Sequence, residues 1–427
     1  MDCFEKVIGY ESEKLELKRY CDLFKNIWKY KALGVNIPRG ILIDGEPGIG
    51  KTLMAQCFID ECGITSYTIR KELSDGEFIK QITDTFNKAK ENAPAIVFLD
   101  DMDKFSNEDE NHKNSEEFVV IQSCIDDCKG FDVFVIATVN NRWSLPNSLL
   151  RTGRFDKSLR MDMPCGEDAV KIIEYYMGQK NILEELDAQE IGRILQGHSC
   201  SDLETIINEA GIYAVYDGKN AIDQESMIKA CCRCLFKEEY CIDVDPTIIN
   251  GTRNRAIAIH EMGHALVGEI FREGSVSFVA LGNVNGVIEG ITVSRRNEKI
   301  RSNDTREENE IDIMISLGGK AATEVVSGEF DMGALDDLIS VSSDVYRLVA
   351  GFGISGLNTF KGGPDASEIM ERDIECAVNV EINRLYEKTK KIIIENRTLL
   401  DSFVEELMKK RYLTYKDILR IRREAAC

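Results

Sequence analysis

The sequence predicts a multidomain chain, α/β in its first part and all-α in most of the rest. Three observations carry that prediction. Over residues 1–162, short apolar runs bounded by polar or turn residues alternate with helical stretches, which is how a doubly wound parallel sheet reads. Residues 163–240 lack such runs and show apolar positions at three- and four-residue spacing, the pattern of a small helical domain. Residues 253–427 combine long helical stretches with one short strand region. At 427 residues the chain is too long for one ordinary core and suits two or three domains.

The elements follow in order. Ile41-Leu42-Ile43, Ala95-Ile96-Val97-Phe98-Leu99 and Val133-Phe134-Val135-Ile136-Ala137 are the predicted buried strands. The acidic stretch Ser106–Glu117 reads as a solvated loop. Asp202 to Tyr216 reads as a helix. Glu, Asp, Pro and Gly collect within Lys237–Arg253 and predict a linker at 241–252. Beyond it come a helix carrying two histidines, a Val/Gly-rich strand region at Ser275–Val293, and long helices to the end.

Composition narrows the classes. Hydrophobic content of 43% and charged content of 30% are those of a globular protein. A formal net charge of −21 argues against nucleic acid as a partner, because phosphate is repelled. No apolar run approaches the roughly 20 residues that cross a bilayer, so no transmembrane segment is predicted. The first residues, Met1 to Lys6, lack a signal-peptide pattern, and the chain reads as cytoplasmic. In a reducing compartment most of the 14 cysteines are expected to be free thiols. The cluster Cys231, Cys232, Cys234 and Cys241 lacks the regular paired spacing of a zinc site.

Two motifs carry chemistry. Gly45-Glu46-Pro47-Gly48-Ile49-Gly50-Lys51-Thr52 fits the phosphate-binding pattern GxxxxGK[ST], after a predicted strand and before an apolar helix. Its backbone N–H groups are suited to wrap the phosphates of ATP, with Lys51 on the β- and γ-phosphates and Thr52 on Mg²⁺. Asp100 and Asp101 end the second predicted strand, placed to hold Mg²⁺ through water and to orient the attacking water. Asn140 ends the third and is a candidate to position that water or the γ-phosphate. Arg151 and Arg154 follow, candidates for arginine fingers reaching a neighbouring subunit's nucleotide.

His260-Glu261-Met262-Gly263-His264 is HExxH. Histidines at i and i+4 share one helical face and can grip one Zn²⁺, with Glu261 beside them as general base. A third protein ligand is needed if one position is to stay open for water. Spacing leaves Glu324, Asp331, Asp336 and Asp337 as candidates.

In this order, the motifs resemble the FtsH family of AAA metalloproteases, from about Phe4 to about Ile421. Val7-Ile8-Gly9-Tyr10 and Leu33 to Gly40 resemble the family's lead-in to the phosphate loop. Leu150-Arg151 with Gly153-Arg154-Phe155-Asp156 resembles its arginine-finger segment, and Ser199 to Leu203 with Asn208-Glu209-Ala210 its helical lid. Gly318 to Ala322 and Gly333 to Leu338 resemble its peptidase half. The resemblance implies an AAA ATPase domain at 1–162, a lid at 163–240 and a zinc metallopeptidase domain at 253–427. It implies Asp337 as the third zinc ligand, with Asp336 the fallback. It implies that the strand near Gly290-Ile291-Thr292 pairs with an extended polypeptide substrate. It also implies a homohexamer with ATP sites between subunits.

Four departures stand out. The family's N-terminal membrane anchor is absent from the sequence, which reads as a soluble relative. Asp101 stands where glutamate is usual, one methylene shorter, and slow hydrolysis is expected. The segment Arg70 to Gly76 replaces the family's aromatic pore loop and holds no aromatic; Phe78 is the nearest. The acidic Ser106–Glu117 replaces a Gly-rich insert. The leading reading is an ATP-dependent zinc endopeptidase. Its alternatives are a zinc peptidase whose ATP binding controls assembly without processive unfolding, and a remodelling or adaptor ATPase with weak proteolysis.

Overall fold

The structure, a computed structural model, describes residues 2–425 apart from 36–37, 73–74, 106–115, 184–185, 237–239, 242–251, 285–286, 296–304, 329–331 and 355–367. They form two compact units, residues 1–182 with 195–208 and residues 183–194 with 209–427.

The first unit opens with α1 (Glu11–Lys25) and α2 (Ile27–Ala32). Five strands follow: β1 (Gly40–Asp44), β2 (Thr65–Ile69), β3 (Ala95–Leu99), β4 (Val133–Val139) and β5 (Lys157–Arg160). They form one parallel sheet in the order β2-β3-β4-β1-β5. Parallel neighbours need crossovers, and α3 (Lys51–Cys62), α4 (Asp75–Glu91) and α5 (Glu116–Asp127) supply the first three. Every residue of β1, β3 and β4 is buried, which explains their unbroken apolar runs. The three predicted strands are the three central ones. The two that lacked an apolar run, Thr-Ser-Tyr-Thr-Ile and Lys-Ser-Leu-Arg, are the sheet's edges and largely keep contact with solvent.

A core of buried side chains, including Phe78, Phe86 and Phe118, packs against this sheet. Phe78 is fully buried and meets Phe105 edge-on, ring centroids 5.0 Å apart. The aromatic nearest to the replaced pore loop is therefore a core residue with no surface to offer a substrate. After β5 come α6 (Gly166–Met177), α7 (Ala188–Ile194), α8 (Cys200–Tyr216) and α9 (Gln224–Phe236), and the two units divide within α8.

The second unit centres on α10 (Thr252–Phe271), which follows the two-residue strand β6 (Tyr240–Cys241). Ala258, Met262, Ala265 and Leu266 of α10 are fully buried. The hairpin β7 (Val276–Val284) and β8 (Val287–Ser294) follows α10. Next are α11 (Arg306–Ser327), α12 (Leu335–Tyr346), α13 (Glu368–Glu395), α14 (Arg397–Lys410), β9 (Tyr412–Thr414) and α15 (Tyr415–Ala425). β6 and β9 pair with β7; β8 pairs with β7 alone among the described residues. Glu269 near the end of α10 has no exposed surface, and its carboxylate is satisfied in full. It accepts from the Gly274 and Val276 amides at 3.0 and 2.9 Å and from Arg422 at 2.6 Å. Those bonds fix the end of α10 to β7 and to α15, removing the cost of a lone buried charge.

Among the described residues no helix is long and apolar enough to cross a membrane. Cys231, Cys232 and Cys234 of α9 are reduced cysteines outside any disulfide; the side chain of Cys241 lies outside the described residues.

Candidate functional site

The phosphate-binding segment runs from the end of β1 to the start of α3, at the carboxyl ends of the parallel strands. Open α/β sheets bind their ligands there. Gly48 and Gly50 take φ of 77° and 92°, values that turn successive backbone amides inward and that side chains with a Cβ rarely adopt. Lys51 is buried; its Nζ donates to the Glu46 carbonyl at 2.7 Å and to Asn140 Oδ1 at 2.9 Å. Burial pushes its pKa down, although the Asp101 and Asp103 carboxylates oppose the shift. Asp103 in turn holds the Asn140 amide, Nδ2 to Oδ2 at 3.0 Å. Lysine, asparagine and carboxylate thus form one chain that aims the ammonium at the loop.

Asp100 is 4% exposed and fully occupied. Oδ1 accepts from Thr52 Oγ1 at 2.9 Å and from Thr138 Oγ1 at 2.8 Å. Oδ2 takes the Arg70 guanidinium, Nε at 2.7 Å and Nη2 at 2.6 Å. Asp101 has φ of 53°, and its carboxylate is bound by Lys104 at 2.7 Å. Lys51, Thr52, Arg70, Asp101, Lys104 and Asn140 line a cavity of about 950 Å³, at the upper end of small-molecule sites. Tyr10, Tyr176 and Cys200 line it too. The Tyr10 hydroxyl donates to the Asp162 carbonyl at 3.1 Å and lies 3.7 Å from Cys200 Sγ. Tyr176 carries no sequence signal; Gly9-Tyr10, Arg70 and Ser199 to Leu203 stood out only through the family pattern.

The two candidate fingers differ. Arg151 is exposed. Arg154 is tied within its own chain, to Asp126 at 2.7 and 3.2 Å, to Gln122 at 3.2 Å and to the Ser148 carbonyl.

In the second unit, α10 presents His260, Glu261 and His264, and the first turn of α12 brings Asp337 to them. The imidazole Nε2 atoms are 3.0 Å apart, and Asp337 Oδ2 lies 3.1 Å from that of His260 and 3.3 Å from that of His264. Ligands about 2.0–2.1 Å from a tetrahedral zinc ion stand roughly 3.3 Å apart. The three donors therefore sit at the separations one shared metal requires, and among the described residues this is the one such group. His264 Nδ1 lies 2.7 Å from the Ile315 carbonyl. A carbonyl only accepts, so Nδ1 carries the proton and the Nε2 lone pair faces the centre. Burial alone would raise the Asp337 carboxyl, but the two imidazoles hold it well below the usual carboxylate range.

Two glycines leave the room. A Cβ on Gly319 of α11 would lie 2.5 Å from His264 Nε2 and 2.6 Å from His260 Nε2. A Cβ on Gly290 of β8 would lie 2.4 Å from Glu261 Cγ. The Glu261 carboxylate accepts from Thr292 Oγ1 at 2.6 Å, a residue that no motif had marked as a partner. The other acidic candidates stand elsewhere. Glu324 is bound by Lys390 at 3.0 Å and by the Tyr386 hydroxyl, Asp336 is exposed, and Asp331 lies outside the described residues.

Comparison with known proteins matches each unit's motif-bearing segment to a family. Residues 41–163 match the family model described as the ATPase family associated with various cellular activities (AAA). Residues 247–421 match peptidase family M41. The chain is 28% identical to an ATP-dependent zinc metalloprotease, FtsH 2, of Phytoplasma mali, covering 97% of this chain and 62% of that one. It is 28% identical to FtsH 2 of a Thermoanaerobacter species, covering 97% and 82%. It is 30% identical to the chloroplastic FTSH 1 of Oryza sativa, covering 95% and 63%. The chain thus spans between about three fifths and four fifths of the length of these relatives.

Proposed function

From the premise that the chain belongs to the FtsH family of ATP-dependent zinc metalloproteases, we propose that it hydrolyses polypeptides at a zinc centre with the help of ATP. The observation that carries this reading is the convergence of His260, His264 and Asp337 on one point beside Glu261.

His260, His264 and Asp337 are the residues to hold Zn²⁺, leaving a fourth position open. A bound zinc ion supplies Lewis acidity toward the scissile carbonyl and toward water. Glu261 takes the proton of the attacking water and passes it to the leaving amine. Thr292 keeps the Glu261 carboxylate aimed. The edge of β8 around Gly290, unpaired among the described residues, offers backbone groups to an extended substrate, which would lie across the base.

In the other unit, Lys51 and the amides from Gly45 to Gly50 bind the phosphates of ATP. Thr52 and Asp100 are the residues that would hold Mg²⁺, which would supply positive charge against the phosphates. Asp101 and Asn140 orient the water that attacks the γ-phosphate. Arg151 and Arg154 are the fingers offered to a neighbouring subunit; Arg151 is exposed, and Arg154 would first have to leave Asp126 of its own chain. The assembly this requires is a ring, in the family's manner a homohexamer, with a cytoplasmic location. The domain limits that suit this division are 1–162, 163–240 and 253–427.

A second reading, in which ATP binding governs assembly without processive unfolding, is favoured by the burial of Phe78, which leaves the Arg70–Gly76 segment without an aromatic grip. Metal analysis tests the leading proposal directly. The purified chain should carry one zinc per subunit, and H260A should carry none; an equal zinc content in both would remove the proposal.

A further inference from the structure

We propose that Arg70 is a cis-acting reader of the γ-phosphate: it covers Asp100 while no triphosphate is bound and moves to the terminal phosphate when Asp100 serves Mg²⁺. The inference rests on the nucleotide site proposed above and adds a residue to it.

Arg70 directly follows β2, so it stands at the carboxyl end of the sheet, on the same side as the phosphate loop. It lines the same cavity as Lys51, Thr52, Asp101 and Asn140. Its guanidinium forks onto Oδ2 of Asp100. That is the one Asp100 oxygen not already taken by the two threonine hydroxyls. Its side chain is 54% exposed, whereas that of Asp100 is 5% exposed. The carboxylate is therefore fixed and the arginine is the partner free to leave. Water competes for the exposed guanidinium and not for the buried carboxylate, so the arginine is the mobile member of the pair.

Charge then sets the direction of movement. Among the described residues, the guanidinium is the one cation bonded to Asp100. A divalent ion at Asp100 repels it, and a terminal phosphate offers oxygens that match its fork. A diphosphate offers the ion but not the terminal phosphate. The residue after Arg70 has separate anchors: Lys71 Nζ donates to the Phe105 carbonyl at 2.8 Å and lies 3.8 Å from Glu117.

The test is nucleotide affinity of the whole chain, measured with fluorescent ADP and with a fluorescent non-hydrolysable ATP analogue, both in Mg²⁺. R70A should weaken the ATP analogue on the order of tenfold and ADP less than about twofold, so that the protein no longer distinguishes them. R70K, which keeps the charge without the fork, should fall between. Equal tightening of both nucleotides would mean that Arg70 only competes with Mg²⁺, and equal weakening would make it a structural prop; either result, or no change, overturns the proposal. K51A separates the underlying reading from this one. If K51A binds both nucleotides like the parent, the site itself is misplaced, whatever R70A does.

Discussion

The hydroxyl of Thr292 on β8 donates a 2.6 Å hydrogen bond to Oε2 of Glu261 on α10. The strand edge proposed to hold the substrate is thus the element that aims the proposed general base. A carboxylate free to rotate would spend part of its time away from the attacking water, and misplacement of that kind is costly in rate. Thr292→Val should lower kcat for peptide cleavage about tenfold with KM little changed. Thr292→Ser should restore most of it. A Thr292→Val enzyme with parental kcat would show that the bond has no catalytic role.

Gly319→Ala tests the metal cradle by shape. The added methyl would lie 2.5 Å from His264 Nε2, closer than a carbon can stand. Alanine is otherwise favoured over glycine in a helix by about 1 kcal/mol, so helix content should not fall. The expected result is a protein with parental far-UV circular dichroism and less than about a tenth of the zinc. Full zinc occupancy in this variant would place the metal elsewhere.

Asp101 concerns the rate of ATP hydrolysis. Its carboxylate is one methylene shorter than the glutamate usual in the family, and it is engaged by Lys104 at 2.7 Å. Asp101→Glu should raise the ATPase rate about tenfold, and Asp101→Asn should reduce it by a factor of about a hundred. Steady-state phosphate release measures both; a faster Asp101→Asn enzyme would exclude Asp101 from orienting the water.

A pH dependence is expected at the start of α9. Burial alone would raise the Asp223 carboxyl, but Lys219 and the hydrogen bonds of Ser226 hold it at about 2. Its folded value lies below the unfolded one of about 3.9. The stabilisation is therefore complete above the unfolded value and is lost as the pH falls toward the folded one. Asp223→Ala should cost α9 about 1 kcal/mol at pH 7, as loss of an N-terminal cap does. A chain of this size need not unfold in two states, so hydrogen exchange of Gln224–Phe236 is the suitable readout. The protection lost in the variant should be severalfold at pH 7, with the difference shrinking below pH 4. A difference that grew on acidification would reverse the sign of the argument.

Much of this was legible in the sequence, for identifiable reasons. β1, β3 and β4 are buried on both faces and can only be written as apolar runs. HExxH is local, because two ligands and a base lie within one and a half helical turns. The edge strands β2 and β5 were not legible, since half-exposed strands of four or five residues carry no apolar run. The third donor was not legible from spacing either. Asp337 reaches the histidines only because α12 packs against α11, which itself packs along α10, and among four acidic candidates only the family resemblance pointed to it. Arg70 and Thr292 lay in segments that stood out only through the family resemblance, and nothing marked either as the partner of an acidic site residue. Each matters through one partner distant in sequence, and a single polar residue at the end or middle of a strand has no periodicity to betray it. Phe78 shows the converse: the sequence offered it as the nearest aromatic to a pore loop, and the core claimed it.

The central claim is that the zinc centre cuts polypeptides under the control of ATP. The most direct measurement is degradation of labelled casein by the whole chain with ATP, with a non-hydrolysable analogue and without nucleotide, beside Glu261→Gln. The account predicts cleavage with ATP, at least about tenfold less in the other two conditions, and none in Glu261→Gln, which should still hydrolyse ATP. Cleavage that persists in Glu261→Gln, or that runs equally fast without nucleotide, would contradict it.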